Sequence, residues 1–165
     1  MKHEPKGRLL VSHISRRDAV ATLAAGLATI AGGRLAAQAK PALTVYKDPN
    51  CGCCAKWADH MKANGFTATV KDTADMPAIK AKHHVGDALQ SCHTTLVGDY
   101  VIEGHVPAVD VKRLLAEKPK GIVGLTIPGM PASAPGMDLT PFKPYDVLTF
   151  DVKGKTTVFA KHTKL

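Results

Sequence analysis

The chain of 165 residues is 45% apolar and 5% aromatic, which suits one globular domain together with a removable leader. Its formal charge of +8 would suit a nucleic-acid partner, but six of the 22 Lys and Arg residues and only two of the acids precede Lys40. The remainder carries 16 bases and 12 acids, with no basic run interleaved with aromatics, which argues against nucleic-acid binding.

Residues 1–39 have the pattern of a cleaved export signal. A basic start leads to the apolar run "AVATLAAGLATIAGG", and the small-x-small sequence "AQA" follows as a cleavage site. The run is too short and too rich in alanine to span a membrane. Arg16 and Arg17 resemble a twin-arginine signal, although Ala19 replaces the usual large apolar residue, and an ordinary secretory signal is the alternative. Both routes predict an exported mature protein from about Lys40, with no membrane span after cleavage.

The first two elements of the mature chain surround a group of cysteines. The stretch "ALTVYKD" alternates like a strand, proline ends it, and Asn50 is predicted to cap a helix that begins at the cysteines. That helix, "CGCCAKWADHMKANG", places Cys54, Trp57 and Met61 on one face and stops at Gly65.

The later elements alternate between strands and helices. They are a strand over 66–72, a helix over 76–85, two short strands within 94–104, a helix over 106–119, a loop rich in Pro and Gly over 127–144 and a hairpin over 146–160. This order predicts an α/β fold, specifically a thioredoxin-like sandwich in which a small mixed sheet is flanked by helices. A single domain over residues 40–165 is expected.

Four cysteines form the candidate site: Cys51, Cys53, Cys54 and Cys92. The first three lie at a predicted helix N-terminus, where the helix dipole favours the thiolate form that binds metals and attacks disulfides. They fan around the helix tip, because neighbouring positions are rotated by roughly 100°. Cys92 precedes the predicted strand pair, where a thioredoxin-like fold would bring it close to that tip.

Three interpretations of these cysteines remain open on the sequence. An exported protein suits structural disulfides, such as Cys51 with Cys54 and Cys53 with Cys92. A redox-active Cys51–Cys54 pair is the second interpretation. Metal binding is the third and is favoured, because three thiols so close together suit bridging of soft ions. Cu(I) fits better than zinc, whose cysteines usually have a more regular spacing such as paired C-x-x-C units, and better than an iron–sulfur centre, whose cysteines are usually spaced more widely.

Two histidines and two methionines are further candidates as metal ligands. His93, in an extended segment, would point away from Cys92 and reach the site only if the backbone turns there. His105 suits an outer role at the site or a helix cap. The thioethers of Met130 and Met137 suit Cu(I), but they suit packing within the loop equally well.

The chain resembles the thioredoxin-like bacterial copper-resistance family that includes CopG. The matching stretches are "DPNCGCCAKWADHMKANGF", "SCHTTLVGDYVIEGHVPA", "RLLAEKP", "PGMP", "PGM" and "YDVLTF". The resemblance implies a periplasmic protein in which Cys51, Cys53, Cys54 and Cys92 hold a multinuclear, thiolate-bridged copper cluster. One departure lies near Asp87, where Val-Pro would be expected, and it weakens the case for disulfide exchange more than that for metal binding.

The leading hypothesis is therefore a periplasmic copper-binding protein of copper resistance, with Cu(I) in a cysteine-thiolate cluster and a further role in copper redox chemistry. Its expected partners are copper ions and other periplasmic copper-handling proteins. The alternative is an enzyme, a thiol-disulfide oxidoreductase in which Cys51 attacks and Cys54 resolves. A structural module with plain disulfides is the third hypothesis.

Overall fold

The computed structural model describes residues 39–137 and 139–164, and the predicted export signal lies, up to Gln38, outside these residues. The described chain forms an α/β structure whose elements are β1 (Ala42–Lys47), α1 (Gly52–Ala63), β2 (Thr67–Asp72), α2 (Met76–Lys82), β3 (His93–Val97), β4 (Tyr100–Glu103), α3 (Ala108–Glu117), β5 (Gly124–Thr126), β6 (Tyr145–Phe150) and β7 (Thr156–His162). A short 3-10 helix, Asp87–Leu89, precedes β3.

The strands form one mixed sheet in the order β2-β1-β3-β4-β5-β6-β7. The pairs β1/β2 and β4/β5 are parallel, and the other neighbours are antiparallel. Lys47 at the end of β1 pairs with His93 at the start of β3, and Thr94 pairs with Glu103 at the end of β4. The chain segments that leave β1, enter β3 and leave β4 therefore meet at one end of the sheet.

The two faces of the sheet carry separate apolar clusters. The larger one joins the strands to α1 and α3 through Trp57, Met61, Val111 and Leu114. The smaller one consists of Val85 after α2, Leu89 of the 3-10 helix, Val101 of β4 and Phe150 at the end of β6. Because successive strand residues point to opposite faces, Val101 belongs to the smaller cluster and its neighbour Ile102 to the larger.

The predicted mixed α/β sheet is confirmed, but one strand was not foreseen. Residues 124–126, which lie between the predicted helix and the predicted loop, form β5. Gly124 is required there for close packing, since a side chain at this position would overlap the backbone of Val101 on β4. The absence of a side chain at this glycine is what allows β5 to pair closely with β4.

The prediction that Asn50 caps α1 is wrong. Cys51 occupies the N-cap position, and its side chain makes no capping hydrogen bond. The amides of Asn50 and Cys51 instead donate to the side chain and carbonyl of Asp48, at 2.8 and 3.0 Å. A turn that begins at Asp48 thus uses the local acceptors, and the helix begins one residue later than expected.

No helix in the described ranges, 39–137 and 139–164, is long and apolar enough to cross a lipid bilayer.

Candidate metal centre

The connection from β1 into α1 is fixed by a buried cation as well as by its turn. The Lys47 ammonium, on a residue only 7% exposed, donates to the carbonyl oxygens of Asp48 and Pro49 at 2.9 and 3.2 Å. These carbonyls belong to the turn that leads into the first cysteine. The Lys47 side chain, at the end of β1, therefore fixes the backbone that leads into the cysteine segment.

Three sulfur atoms lie at the tip of α1. Cys51 and Cys54 are joined as a disulfide, with their Cα atoms 5.5 Å apart, while Cys53 and Cys92 are free thiols. The sulfur of Cys53 lies 3.6 Å from that of Cys51. The Cys51–Cys54 pairing matches the redox interpretation of the sequence, and the second pairing of the disulfide interpretation, Cys53 with Cys92, is absent from the described residues.

The fourth cysteine joins this group from a distant part of the chain. Cys92 lies at the entry to β3, and its carbonyl oxygen is 3.9 Å from the sulfur of Cys54. The sulfur atoms of the four cysteines, Cys51, Cys53, Cys54 and Cys92, all lie within 4.8 Å of one another. The structure thus brings together the four predicted residues; that they bind metal stays a prediction.

His105 contacts the fourth sulfur directly. Its Nε2 atom lies 2.9 Å from Cys92 Sγ, and its Nδ1 atom lies 2.6 Å from the carbonyl oxygen of Pro135. Because a carbonyl can only accept, Nδ1 carries the proton and Nε2 presents its lone pair to the sulfur. A histidine whose far nitrogen is fixed by a carbonyl in this way has the arrangement found in metal-bound imidazoles.

His93 lies deeper, between two rings. Its centroid is 4.5 Å from that of Trp57 and 5.0 Å from that of His105, and its Nδ1 atom is 3.5 Å from Cys92 Sγ. The residue is fully buried, and its Nε2 atom has no hydrogen-bond partner within the described chain. The backbone bends at Cys92, immediately before β3 begins, which meets the condition under which both side chains can approach one site.

Together these residues extend the set of candidate ligands. Cys54, Cys92, His93 and His105 form a second group whose ligand atoms all lie within 4.8 Å of one another, and it shares two cysteines with the first. The direct contact of His105 was not foreseen. Gly104, with φ +76°, turns the chain so that His105 reaches back to Cys92, and the sequence signal for this turn was the glycine in "EGH".

Burial sets the protonation states at this site. It raises the pKa of the Cys92 thiol to about 12, and the negative charge that Cys53 can carry adds to the effect. Burial also lowers the pKa of His93 well below its ordinary value, helped by His105 and Lys80. Without a cation, Cys92 is a neutral thiol and His93 a neutral imidazole at physiological pH. A bound cation would have to displace the thiol proton.

The loop after β5 packs on the start of α1. At Gly136, with φ +86°, a Cβ atom would lie 2.8 Å from the backbone nitrogen of Trp57 and 3.1 Å from the carbonyl oxygen of Cys53. The neighbouring Pro135 carbonyl is the acceptor for His105. Met130 of this loop is 56% exposed and Met137 is half-buried, so their role as ligands stays a prediction.

The chain is similar to one family of unknown function and to two solved structures. A family model described as "Protein of unknown function, DUF411" matches residues 89–137, a range that includes Cys92 and His105. No curated protein matches. Two solved structures titled "Copper resistance protein copG", forms 2 and 1, each match with 38% identity and a TM-score of 0.70. They cover 74% and 76% of this chain, which spans 98% and 100% of theirs.

The fold and the site thus define an α/β protein in which candidate cysteine and histidine ligands from separate segments converge at one end of a mixed sheet. The match covers nearly the full length of the two copG chains at 38% identity, which is enough to establish a family relationship. The chain belongs to the CopG family of copper-resistance proteins, as the resemblance in its sequence indicated.

Proposed function

We propose that residues 40–165 form the mature part of a periplasmic copper-binding protein that holds Cu(I) through the thiolates of Cys51, Cys53, Cys54 and Cys92. The observation that carries the proposal is the convergence of four sulfur donors within 4.8 Å from two separate chain segments. Soft thiolates select Cu(I) among the metals available to such a site. Four sulfurs at this spacing are also close enough to bridge several ions, which supports a multinuclear cluster.

The proposed fold is thioredoxin-like. Four strands in the order β2-β1-β3-β4, with β1 parallel to β2 and antiparallel to β3, support this assignment. A C-x-x-C pair at the first strand-to-helix junction supports it as well. Strands β5 to β7 then extend the sheet beyond that unit.

His105 and His93 complete the proposed ligand set. The lone pair of His105 Nε2 faces Cys92, and His93 carries a buried nitrogen without a partner in the described chain. Leaving a buried polar atom unpaired costs free energy, and a metal ion or a bound water would remove that cost. Imidazole nitrogens are common ligands of copper. The donor set present therefore fits copper.

Copper binding by all four sulfurs requires reduction of the Cys51–Cys54 disulfide. Two electrons and two protons from a thiol reductant convert this bond into two thiols, and the thiols lose their protons as the cation binds. The oxidised protein retains only Cys53 and Cys92 as free sulfur ligands. We therefore expect the reduced form to bind several Cu(I) ions and the oxidised form to bind fewer.

The second candidate function is thiol-disulfide exchange. The observation that favours it is the disulfide itself at the tip of α1, with Cys53 Sγ only 3.6 Å from Cys51 Sγ. Such a neighbour would also compete as a resolving thiol, which is unhelpful in a simple oxidoreductase. If the protein is an enzyme under the first proposal, its activity would be oxidation or reduction of the copper that it binds.

Anaerobic titration with Cu(I) against a chromogenic chelator distinguishes the two functions. The reduced wild-type protein should bind several equivalents, and the isosteric variant Cys92→Ser should lose most of this binding. His84→Gln, at an exposed histidine outside the site, is the control. An oxidoreductase would instead reduce insulin disulfides after loss of Cys53 and Cys92 and ignore Cu(I). Elemental analysis of periplasmic extracts tests the proposed location.

A further inference from the structure

A buried carboxylate spans the segment that carries Cys92. Glu103 ends β4, and the residue is 0% exposed. The Ser91 amide donates to its Oε1 atom at 2.7 Å, and the Thr94 hydroxyl donates to its Oε2 atom at 2.7 Å. The ammonium of Lys80, from α2, contacts Oε1 and also lies 3.3 Å from the Thr94 hydroxyl. Each oxygen of one carboxylate thus holds one side of Cys92.

The sheet alone does not fix this segment. Backbone pairing between β3 and β4 reaches Thr94 opposite Glu103, and the Gly104 amide continues it to the carbonyl of His93 at 2.9 Å. Ser91 lies before the strand, beyond this ladder. The carboxylate provides the acceptor for the Ser91 amide, so the segment is anchored on both sides of the cysteine.

Stability alone is a weak explanation for such a buried ion pair. The cost of removing two charges from water offsets their attraction, and apolar pairs of similar size are often equally stable. Ligands of a metal site, in contrast, must be held within about 0.5 Å of their working positions by the groups behind them. Cys92 Sγ lies 2.9 Å from His105 Nε2, a contact that a small shift of the segment would break.

We propose that Glu103 is a positioning residue that fixes Cys92 against the other sulfurs and His105, with Lys80 as its buried counter-ion. The consequence for copper rests on the proposed function, but the positioning itself is measurable without copper. Glu103→Gln keeps the shape of the side chain and removes one strong acceptor. The double variant Lys80→Met/Glu103→Leu removes both charges together, so that it folds without an unpaired buried ion.

The deciding experiment is alkylation of the fully reduced, metal-free protein with iodoacetamide, followed by mass spectrometry of the peptides. The ratio of the Cys92 rate to the Cys53 rate should rise about tenfold in both variants, the change expected from loss of one charge-assisted hydrogen bond. Cys53 is the internal control, because general loosening of the fold accelerates both thiols. The double variant controls for charge, since removing the carboxylate alone also favours the Cys92 thiolate.

Asp110→Asn is the matched control for loss of a buried carboxylate. Asp110 is 4% exposed and lies 2.7 Å from His162 Nε2, on α3 rather than beside Cys92. It should leave the rate ratio unchanged. An unchanged ratio in the Glu103 variants, or an equal rise in Asp110→Asn, overturns the inference.

Copper titration of the same variants connects the positioning to function. Copper affinity should fall about 10- to 100-fold in both Glu103 variants, the loss typical for groups that hold metal ligands in place. A raised alkylation ratio in a protein whose wild type binds no Cu(I) would refute the proposed function and leave the positioning role intact. Copper binding that depends on Cys92, together with an unchanged alkylation ratio, would support the proposed function and refute the positioning role of Glu103.

Discussion

Gly136 offers a quantitative test of the packing of the loop on α1. In Gly136→Ala the new Cβ would lie 2.8 Å from the Trp57 backbone nitrogen, and the residue would keep a left-handed φ of +86°. The conformation alone costs a non-glycine residue about 1–2 kcal/mol. Overpacking against backbone, which cannot rotate away, adds about 1–3 kcal/mol. We therefore expect a total loss of about 2–5 kcal/mol in the free energy of unfolding.

Gly121→Ala separates the two contributions. Gly121 has a similar φ of +79°, but nothing lies within 4 Å of a Cβ placed there. It should lose only the conformational part, about 1–2 kcal/mol. Urea unfolding of both variants, in the reduced metal-free state and with equal m values, gives the comparison. Equal losses for the two glycines would refute the argument that close packing on the first turn of α1 holds the loop.

Three further outcomes follow from the site. His105→Gln should weaken Cu(I) binding about 10-fold or more while the fold is retained, because the Nε2 contact with Cys92 is lost. Competition with a chelator measures the affinity for Cu(I). An unchanged affinity would exclude His105 as a ligand. Because the folded pKa of Cys92 is raised to about 12, the reduced metal-free protein should lose stability as the pH rises from the ordinary thiol pKa towards that value. Urea unfolding between pH 7.5 and 9.5 should show a smaller loss in Cys92→Ser, and parallel curves would contradict this cause. Trp57→Phe removes the 2.9 Å hydrogen bond from the indole to the Val106 carbonyl and should cost about 1–3 kcal/mol in thermal or urea unfolding, whereas a neutral effect would mean that water replaces it.

Local patterns were sufficient to predict most of the elements. The alternation in "ALTVYKD" and the helical spacing of Cys54, Trp57 and Met61 both appear in the structure as β1 and the buried face of α1. The failures arise where a tertiary contact decides. Strand β5 depends on the neighbouring strand β4, to which Gly124 allows a close approach, and Asn50 loses the capping position to a turn built on Asp48.

The candidate site was predictable in part for the same reason. Thiol chemistry and topology were enough to group Cys92 with the first three cysteines. The position of His105 depends on the left-handed turn at Gly104 and on the carbonyl of Pro135, 30 residues further along the chain. The contact between Lys80 and Glu103 depends on where α2 packs against the sheet, which no local pattern encodes.

Under the proposed function, the convergence of segments at one end of the sheet makes copper binding depend on complete folding of the chain. Cys54 and Cys92 are 38 positions apart, so a nascent or denatured chain offers an incoming ion only a fragment of the donor set. Copper binding then stabilises the folded state by mass action. It adds about 2.7 kcal/mol to the free energy of unfolding when free copper reaches 100 times its dissociation constant. The melting temperature of this protein should consequently act as a gauge of the copper around it.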